Sequence, residues 1–229
     1  MNLSLAITTY NRYTLTIESF AQVIDDDRID DIVILDDCST DGSFEKLVKY
    51  FKGNDKVRVI RQARNRGMSL NKRDAIALSK NKWVIIFDSD NIIRPDYVDA
   101  FLRIEKRHPY FIYCPSFARP QFNYNAFAGK TFGGAEKIPI YDDVFNCLMN
   151  TCNYIVNASE YVKVYDYNEE MKATDTVWFN YRWLKSKRSF YVVPGMEYEH
   201  RVHDGSGFLA DVDYNMKKSE EIRKLIAAL

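Results

Sequence analysis

Asp88 and Asp90 flank Ser89 directly after the apolar run Trp83 to Phe87. In an extended chain, residues two apart point to the same side, so the two carboxylates repel each other unless a cation lies between them. A hard divalent ion, Mn²⁺ or Mg²⁺, relieves that repulsion through oxygen ligands and commonly shares its site with phosphate oxygens. On its own an Asp-x-Asp pair reads more simply as an acidic surface turn. Its position after a buried strand, beside two other polar strand ends, tips the reading toward a metal.

The first of those ends is Thr8-Thr9-Tyr10-Asn11-Arg12. It is either a plain strand-to-helix turn or a backbone and aromatic wall for a nucleoside. The second is Asp36-Asp37-Cys38-Ser39-Thr40-Asp41-Gly42. Its carboxylates suit a base N–H or a ribose hydroxyl, while Ser39, Thr40 or Asp41 is placed to cap the next helix.

The elements that position these clusters follow from the spacing of apolar and turn residues. Strands are expected at Leu3 to Thr8, Ile32 to Leu35, Val57 to Ile60 and Trp83 to Phe87. Helices alternate with them at Thr14 to Ile24, Phe44 to Phe51 and Ser69 to Ser79, and Arg94-Pro95-Asp96 opens another, with Pro in its favoured first turn. Apolar strands alternating with helices predict an α/β fold whose mostly parallel sheet is covered on both faces. Ligands of such sheets bind at the carboxyl ends of the strands, where all three polar clusters fall.

The second half is less regular. Strands are expected at Phe111 to Cys114, Tyr154 to Val156 and Phe190 to Val193, with a helix from Thr174 to Lys185. Phe117 to Ile140, rich in Asn, Gly, Phe and Pro, reads as one long loop. The tail from Ala210 to Leu229 carries an imperfect apolar stripe and reads as a helix.

Composition narrows the function. The 229 residues are 46% hydrophobic, enough for a real core. Lys plus Arg and Asp plus Glu are each 32, so no global field favours nucleic acid, and none is expected as a partner. Four cysteines without metal-ligand spacing suggest reduced, mostly buried thiols and a cytoplasmic location. The N-terminus has no basic segment of a signal peptide, and no apolar run nears the roughly 18 residues of a membrane span. No Gly-x-Gly-x-x-Gly, no Gly-x-x-x-x-Gly-Lys-Ser/Thr and no Gly-x-Ser-x-Gly is present, which argues against a dinucleotide-dependent enzyme, a P-loop nucleotidase and a serine hydrolase.

Taken in order, Thr-Thr-Tyr-Asn-Arg, Asp-Asp-Cys-Ser-Thr-Asp-Gly, Asn65-Arg66-Gly67 and Phe-Asp-Ser-Asp-Asn resemble the motifs of the large inverting family of GT-A glycosyltransferases, of the family-two type. The resemblance is close over roughly the first hundred residues. It implies a single Rossmann-like GT-A domain spanning 1–229, with a nucleotide-sugar-binding half at 1–92, an acceptor-side half at 93–209 and a C-terminal helix at 210–229. By the same resemblance Thr8, Tyr10, Asp37, Gly67, Lys72, Asp88 and Ser89 line the donor. Asp37 pairs with the base, and Asp88 lies near the ribose. Asp90 is the principal ligand of Mn²⁺ or Mg²⁺, with Asp88 beside it. Lys72 stands where the family often has Arg, and Asn91 replaces a further Asp.

Two islands extend the resemblance. Ala173-Thr174-Asp175-Thr176 is similar to the motif carrying the catalytic base, although Thr174 replaces its usual Glu. As a plain acid in the first turn of a helix, Asp175 would contribute about 1 kcal/mol; as the base, it would take the acceptor's proton. The segment from His200 to Gly207 is similar to a C-terminal His motif, with His203 the better match to the histidine that nears the metal. The implied reaction moves a sugar from a nucleotide diphosphate donor, with a UDP-sugar favoured, to a hydroxyl of a glycan or lipid-linked acceptor. Polysaccharide or glycan synthesis is the implied setting. Lys217, Lys218, Arg223 and Lys224 beside the apolar stripe would also suit peripheral contact with an anionic membrane, although packing on the domain is the plainer reading. A non-catalytic binding module and a sugar-nucleotidyltransferase are the alternatives on a similar fold. The aromatic residues of Phe117 to Phe132 and Trp178 to Trp183 read equally as acceptor surface or as core.

Overall fold

A computed structural model describes residues 1–202 and 212–229, with the side chains of residues 172 and 173 left aside. The first half alternates as the apolar runs demand. β1 (Leu3–Thr9), β2 (Ile29–Asp36), β3 (Val57–Arg61) and β4 (Trp83–Asp88) are separated by α1 (Tyr13–Ser19), α2 (Ser43–Tyr50) and α3 (Met68–Leu78). Leu5, Ala6, Ile7, Ile32, Val33, Ile34, Val84 and Ile85 are fully buried, as expected of strands covered on both faces. α1 stops at Ser19, short of the Ile24 suggested by the sequence, and tight turns follow it.

Downstream come β5 (Ile92–Ile93), α4 (Pro95–Leu102), β6 (Phe111–Cys114), β7 (Phe117–Arg119), β8 (Phe122–Asn123) and β9 (Thr131–Gly133). They are followed by α5 (Asp143–Met149), β10 (Tyr154–Asn157), α6 (Ala158–Val164), α7 (Asp175–Lys185), β11 (Ser189–Val192), β12 (Glu197–Glu199) and α8 (Val212–Ala227). The expected long loop at 117–140 is therefore corrected: it holds three short strands and a single 3₁₀ turn at Asn125–Phe127. β7 and β8 pair with each other across a tight turn, but β7 is tied into its sheet by β12 and β9 by β11, both far along the chain.

The main sheet has the order β3-β2-β1-β4-β10-β6-β11-β9, and a smaller one the order β5-β12-β7-β8. β1 to β4 are mutually parallel where they pair, while β10 runs antiparallel between β4 and β6. Chain order reverses at β1, with β2 on one side and β4 on the other, which makes the carboxyl ends of β1 and β4 a switch-point crevice. Because β10 runs the other way, the residues just before it arrive at that same edge. Phe87 of β4 meets Tyr198 of β12 edge-on at 5.5 Å, so the two sheets share one core above the site.

Most of the aromatic residues in doubt are core. Phe127, Phe132 and Phe145 form a mutual edge-to-face cluster, and Trp183 is fully buried with its indole N–H on Ser189 O. α8 turns Ile222 and Ile226 inward and leaves Met216 and Leu225 exposed, in keeping with packing on the domain. Among the described residues no helix is long and apolar enough to cross a membrane.

Candidate functional site

Three strand ends meet at the crevice. Thr8 stands opposite both Leu35 and Asp88 in the ladders, and Thr9 opposite Asp36. The loops that leave β1 and β2 are laced together: Asn11 N–H donates to Ser39 Oγ, and Thr40 N–H donates to Asn11 Oδ1, each at 2.8 Å. This requires Asn11 to adopt φ 54°, a left-handed conformation that Asn accepts more readily than most residues. Tyr10, next to it at the rim, keeps an exposed ring.

Asp37 is buried at the end of β2, and each of its oxygens accepts a backbone N–H. Oδ1 takes Arg66 and Oδ2 takes Gly67, both at 2.8 Å. Burial outweighs these two bonds and raises the carboxyl above its ordinary value. Gly67 has φ 81°, a backbone a side-chain-bearing residue would adopt only with strain. Asp37 thus fixes the entry to α3 and, one turn further on, Lys72. Each oxygen keeps a second lone pair for a ligand.

Lys72 lies on the buried face of α3 and joins the two halves of the site. Its Nζ is 3.7 Å from Asp88 Oδ1, 3.4 Å from Asp175 Oδ2 and 3.5 Å from Thr176 Oγ1. Burial works to discharge the ammonium, but Asp175 and Asp88 together outweigh it, and its pKa stands well above the ordinary lysine value. Asp175 is the first residue of α7, and that placement turns its carboxylate to Lys72.

Asp88 gains two further contacts from the segment leading into β10. Cys152 Sγ donates to Asp88 Oδ2 at 2.7 Å, and Asp88 N–H donates to Asn153 Oδ1 at 2.8 Å. Burial and the neighbouring Asp88 push the Cys152 thiol up, so it stays protonated. Asp90 meets a different cation, Arg12, whose Nη1 lies 2.8 Å from its Oδ2. Ser89, between the two acids, is buried, and its hydroxyl has no hydrogen-bond partner among the described residues.

Arg201 staples this acidic turn from outside. Its guanidinium donates to the carbonyls of Asp90, Ser89 and Leu15 and pairs with Glu18, while its own N–H donates to Asn91 Oδ1. Asn91 therefore accepts a backbone N–H here as an acid in its place would, without adding charge. His203 lies outside the described residues.

Arg12, Cys152, Asn153, Thr176 and Arg201 were not singled out from the sequence. For Arg12 a signal existed: three carboxylates gathered at one sheet edge need basic partners, and Arg12 ends the first polar cluster. Cys152 and Asn153 reach the site only because β10 is antiparallel, which its four residues do not disclose.

The residues present suit a divalent ion only in part. Asp88 and Asp90 offer hard carboxylate oxygens, yet among the described residues no three His, Cys, Asp or Glu side chains are grouped to hold an ion. Two protein oxygens, completed by phosphate and water, are nonetheless the usual way Mg²⁺ is bound beside phosphates. The donor set fits an ion that arrives with a phosphate ligand rather than a preformed cage.

Residues 4–180 match the family profile described as glycosyl transferase family 2. Among curated proteins, the glycosyltransferase GlyG of Streptococcus pneumoniae is 30% identical over 70 residues, 31% of this chain and 23% of that protein. The aligned stretches span only 9% to 38% of the lengths of the curated relatives compared. Among solved structures, S. aureus TarS 1–349 in complex with UDP-GlcNAc superposes with a TM-score of 0.72 at 19% identity, over 100% of this chain and 66% of that one. GalNAc-T7 with UDP, GalNAc and Mn²⁺ gives a TM-score of 0.68 at 16% identity, over 89% and 44%. These likenesses establish the shared GT-A fold.

Proposed function

Because the chain belongs to glycosyl transferase family 2, we propose that it transfers a sugar, with inversion, from a nucleoside diphosphate donor to an acceptor hydroxyl. A UDP-sugar is the first choice of donor, in line with the nucleotides bound by the structural neighbours. The observation that carries the proposal is the placement of Lys72 between Asp88 and Asp175. It brings a strand-end acid of the donor half, residues 1–92, together with the helix-opening acid of the acceptor half, residues 93–209. A transferase needs that juxtaposition, because one face of the sugar must meet a base while the other sheds a diphosphate.

In this reading Thr8, Tyr10 and Asp37 hold the nucleoside, with Gly67 shaping the loop around it. Asp88 faces the ribose. Asp90, with Asp88, would hold Mn²⁺ or Mg²⁺, which when bound offsets the charge growing on the leaving diphosphate. Lys72, paired with both Asp88 and Asp175, orients the Asp175 carboxylate. Asp175 accepts the proton of the acceptor hydroxyl as its oxygen bonds to the anomeric carbon and the bond to the diphosphate oxygen breaks. The acceptor is a glycan or lipid-linked hydroxyl in polysaccharide or glycan synthesis. Peripheral membrane contact through the basic residues of α8 belongs to the same reading.

The test is a panel of UDP-, GDP- and dTDP-sugars, assayed for Mn²⁺-dependent binding and for donor hydrolysis. One nucleotide class bound with metal and slowly hydrolysed supports the proposal. Tight donor binding without turnover across a broad acceptor panel would favour a binding module instead.

A further inference from the structure

We propose that Cys152 is a positioning residue of the donor site, whose thiol, level with Asp88 across the sheet, sets the orientation of the Asp88 carboxylate. The inference rests on the nucleoside diphosphate reading above and adds a residue to it.

The register of the sheet brings the two side chains together. β10 runs antiparallel to β4 and pairs Tyr154 with Ile86, so Cys152, two residues before Tyr154, comes level with Asp88, two residues after Ile86. Side chains level across an antiparallel pair share one face of the sheet. The thiol donates to Asp88 Oδ2 at 2.7 Å, since a carboxylate can only accept. Lys72 Nζ lies 3.7 Å from the other oxygen, Oδ1. A planar carboxylate met at one oxygen by a thiol and at the other by a cation is hindered from turning about its own bond. The lone pairs that remain on Asp88 then keep a fixed direction for a ligand.

The donor is itself held still. Cys152 is buried, and the residues on either side of it are tied to separate elements. The Asn153 carbonyl accepts the Tyr97 hydroxyl of α4 at 2.9 Å, and its Oδ1 accepts the Asp88 N–H at 2.8 Å. The Thr151 hydroxyl meets the Tyr198 hydroxyl of β12 at 3.4 Å. Tyr97 and Tyr198 both pack edge-on against Phe87, the residue before Asp88. A thiol suits the task because it is a weak, neutral donor that steers the carboxylate and leaves its charge for the ligand. Fixing the acid before a ligand arrives lowers the ordering cost of binding.

The experiment is calorimetric titration of the full chain with UDP, GDP and dTDP in the presence of Mn²⁺, following the nucleotide that wild type binds most tightly. The proteins are wild type, Cys152→Ala, Cys152→Ser, Asp88→Asn and the double variant of Asp88→Asn with Cys152→Ala. Cys152→Ala is expected to bind that nucleotide about tenfold more weakly, as when a partner that orients a ligating group is removed. Cys152→Ser keeps a donor and recovers most of the affinity. On Asp88→Asn the Cys152→Ala change adds little, because the thiol acts through the carboxylate. A packing defect would instead weaken binding by the same factor in both backgrounds. Should Cys152→Ala fail to fold, Cys152→Val fills similar space without a donor and takes its place. If the Ala or Val variant binds as wild type does, if Cys152→Ser is as weak as they are, or if the full loss persists on Asp88→Asn, the Cys152 proposal falls while the nucleotide reading stands. If Asp88→Asn binds as wild type does, or wild type binds none of the three nucleotides, the donor-site reading of Asp88 falls and takes this proposal with it.

Discussion

Lys72 Nζ lies 3.4 Å from Asp175 Oδ2, so a helix of the first half of the chain holds the opening acid of α7 in place. The same ammonium is 3.7 Å from Asp88. Removing it leaves two acids without their shared cation. Lys72→Met is expected to cost about 2–4 kcal/mol of folding stability, toward the lower part of the range for breaking a buried pair because Asp88 is partly exposed. Urea denaturation should show a lower midpoint with an unchanged slope. Adding Asp175→Asn should restore part of the loss. A Lys72→Met protein as stable as wild type would contradict this arrangement.

Asp90 carries the metal prediction. Mn²⁺ with UDP should raise the melting temperature by mass action. Asp90→Ala should abolish that shift while keeping the circular dichroism of the fold. An undiminished shift in the variant would remove Asp90 from the ligand set.

Asp37 has two jobs to separate, since it anchors the N–H groups of Arg66 and Gly67 whatever it does for a base. Affinity alone is therefore a poor readout, and the ratio between nucleotides is the informative one. Pairing with a base N–H predicts roughly 1.5–3 kcal/mol of discrimination, lost in Asp37→Ala. Calorimetry with UDP, GDP and ADP measures it. Equal weakening of all three in the variant would leave Asp37 as a loop anchor only.

The same residue gives a pH signature. Burial raises the Asp37 pKa in the folded protein, so the folded state binds that proton more tightly than the unfolded chain does. The resulting stabilisation is fully present below the unfolded carboxylate value, about 3.9, and is lost as pH rises through the folded value. The stability of wild type relative to Asp37→Asn should fall across that window in urea titrations at stepped pH. A rise would mean that the two N–H bonds, not burial, dominate.

How much of this was legible in the sequence differs between the halves. Ile32 to Leu35 and Trp83 to Phe87 are continuous apolar runs ended by acids, so strand, strand end and site coincide locally, and β1 to β4 follow directly. β7 and β8 are three and two residues long, too short to show a period, and β7 joins its sheet through β12 about eighty residues away. α5 and α6, seven residues each, went unread because Asp142 and Asn157 cap them inside stretches with no clear apolar stripe. The acids of the site were visible because their types and spacing are informative. Of the cations around them, Lys72 was named through the resemblance as a donor contact, but its pairing with Asp88 and Asp175 was not, and Arg12 and Arg201 reach Asp90 through packing of separate elements.

The central claim is that Asp175 is the base of a sugar transfer, and Asp175→Asn tests it most directly. Asn keeps the size and much of the hydrogen-bonding shape but cannot take the proton, while Lys72 retains Asp88 as a partner. Donor affinity and transfer rate are to be measured on one preparation, with the acceptor found by the panel or with water in its place. The account predicts donor affinity close to wild type and a rate lower by about two to four orders of magnitude. Full activity in Asp175→Asn, or loss of donor binding along with activity, would contradict it.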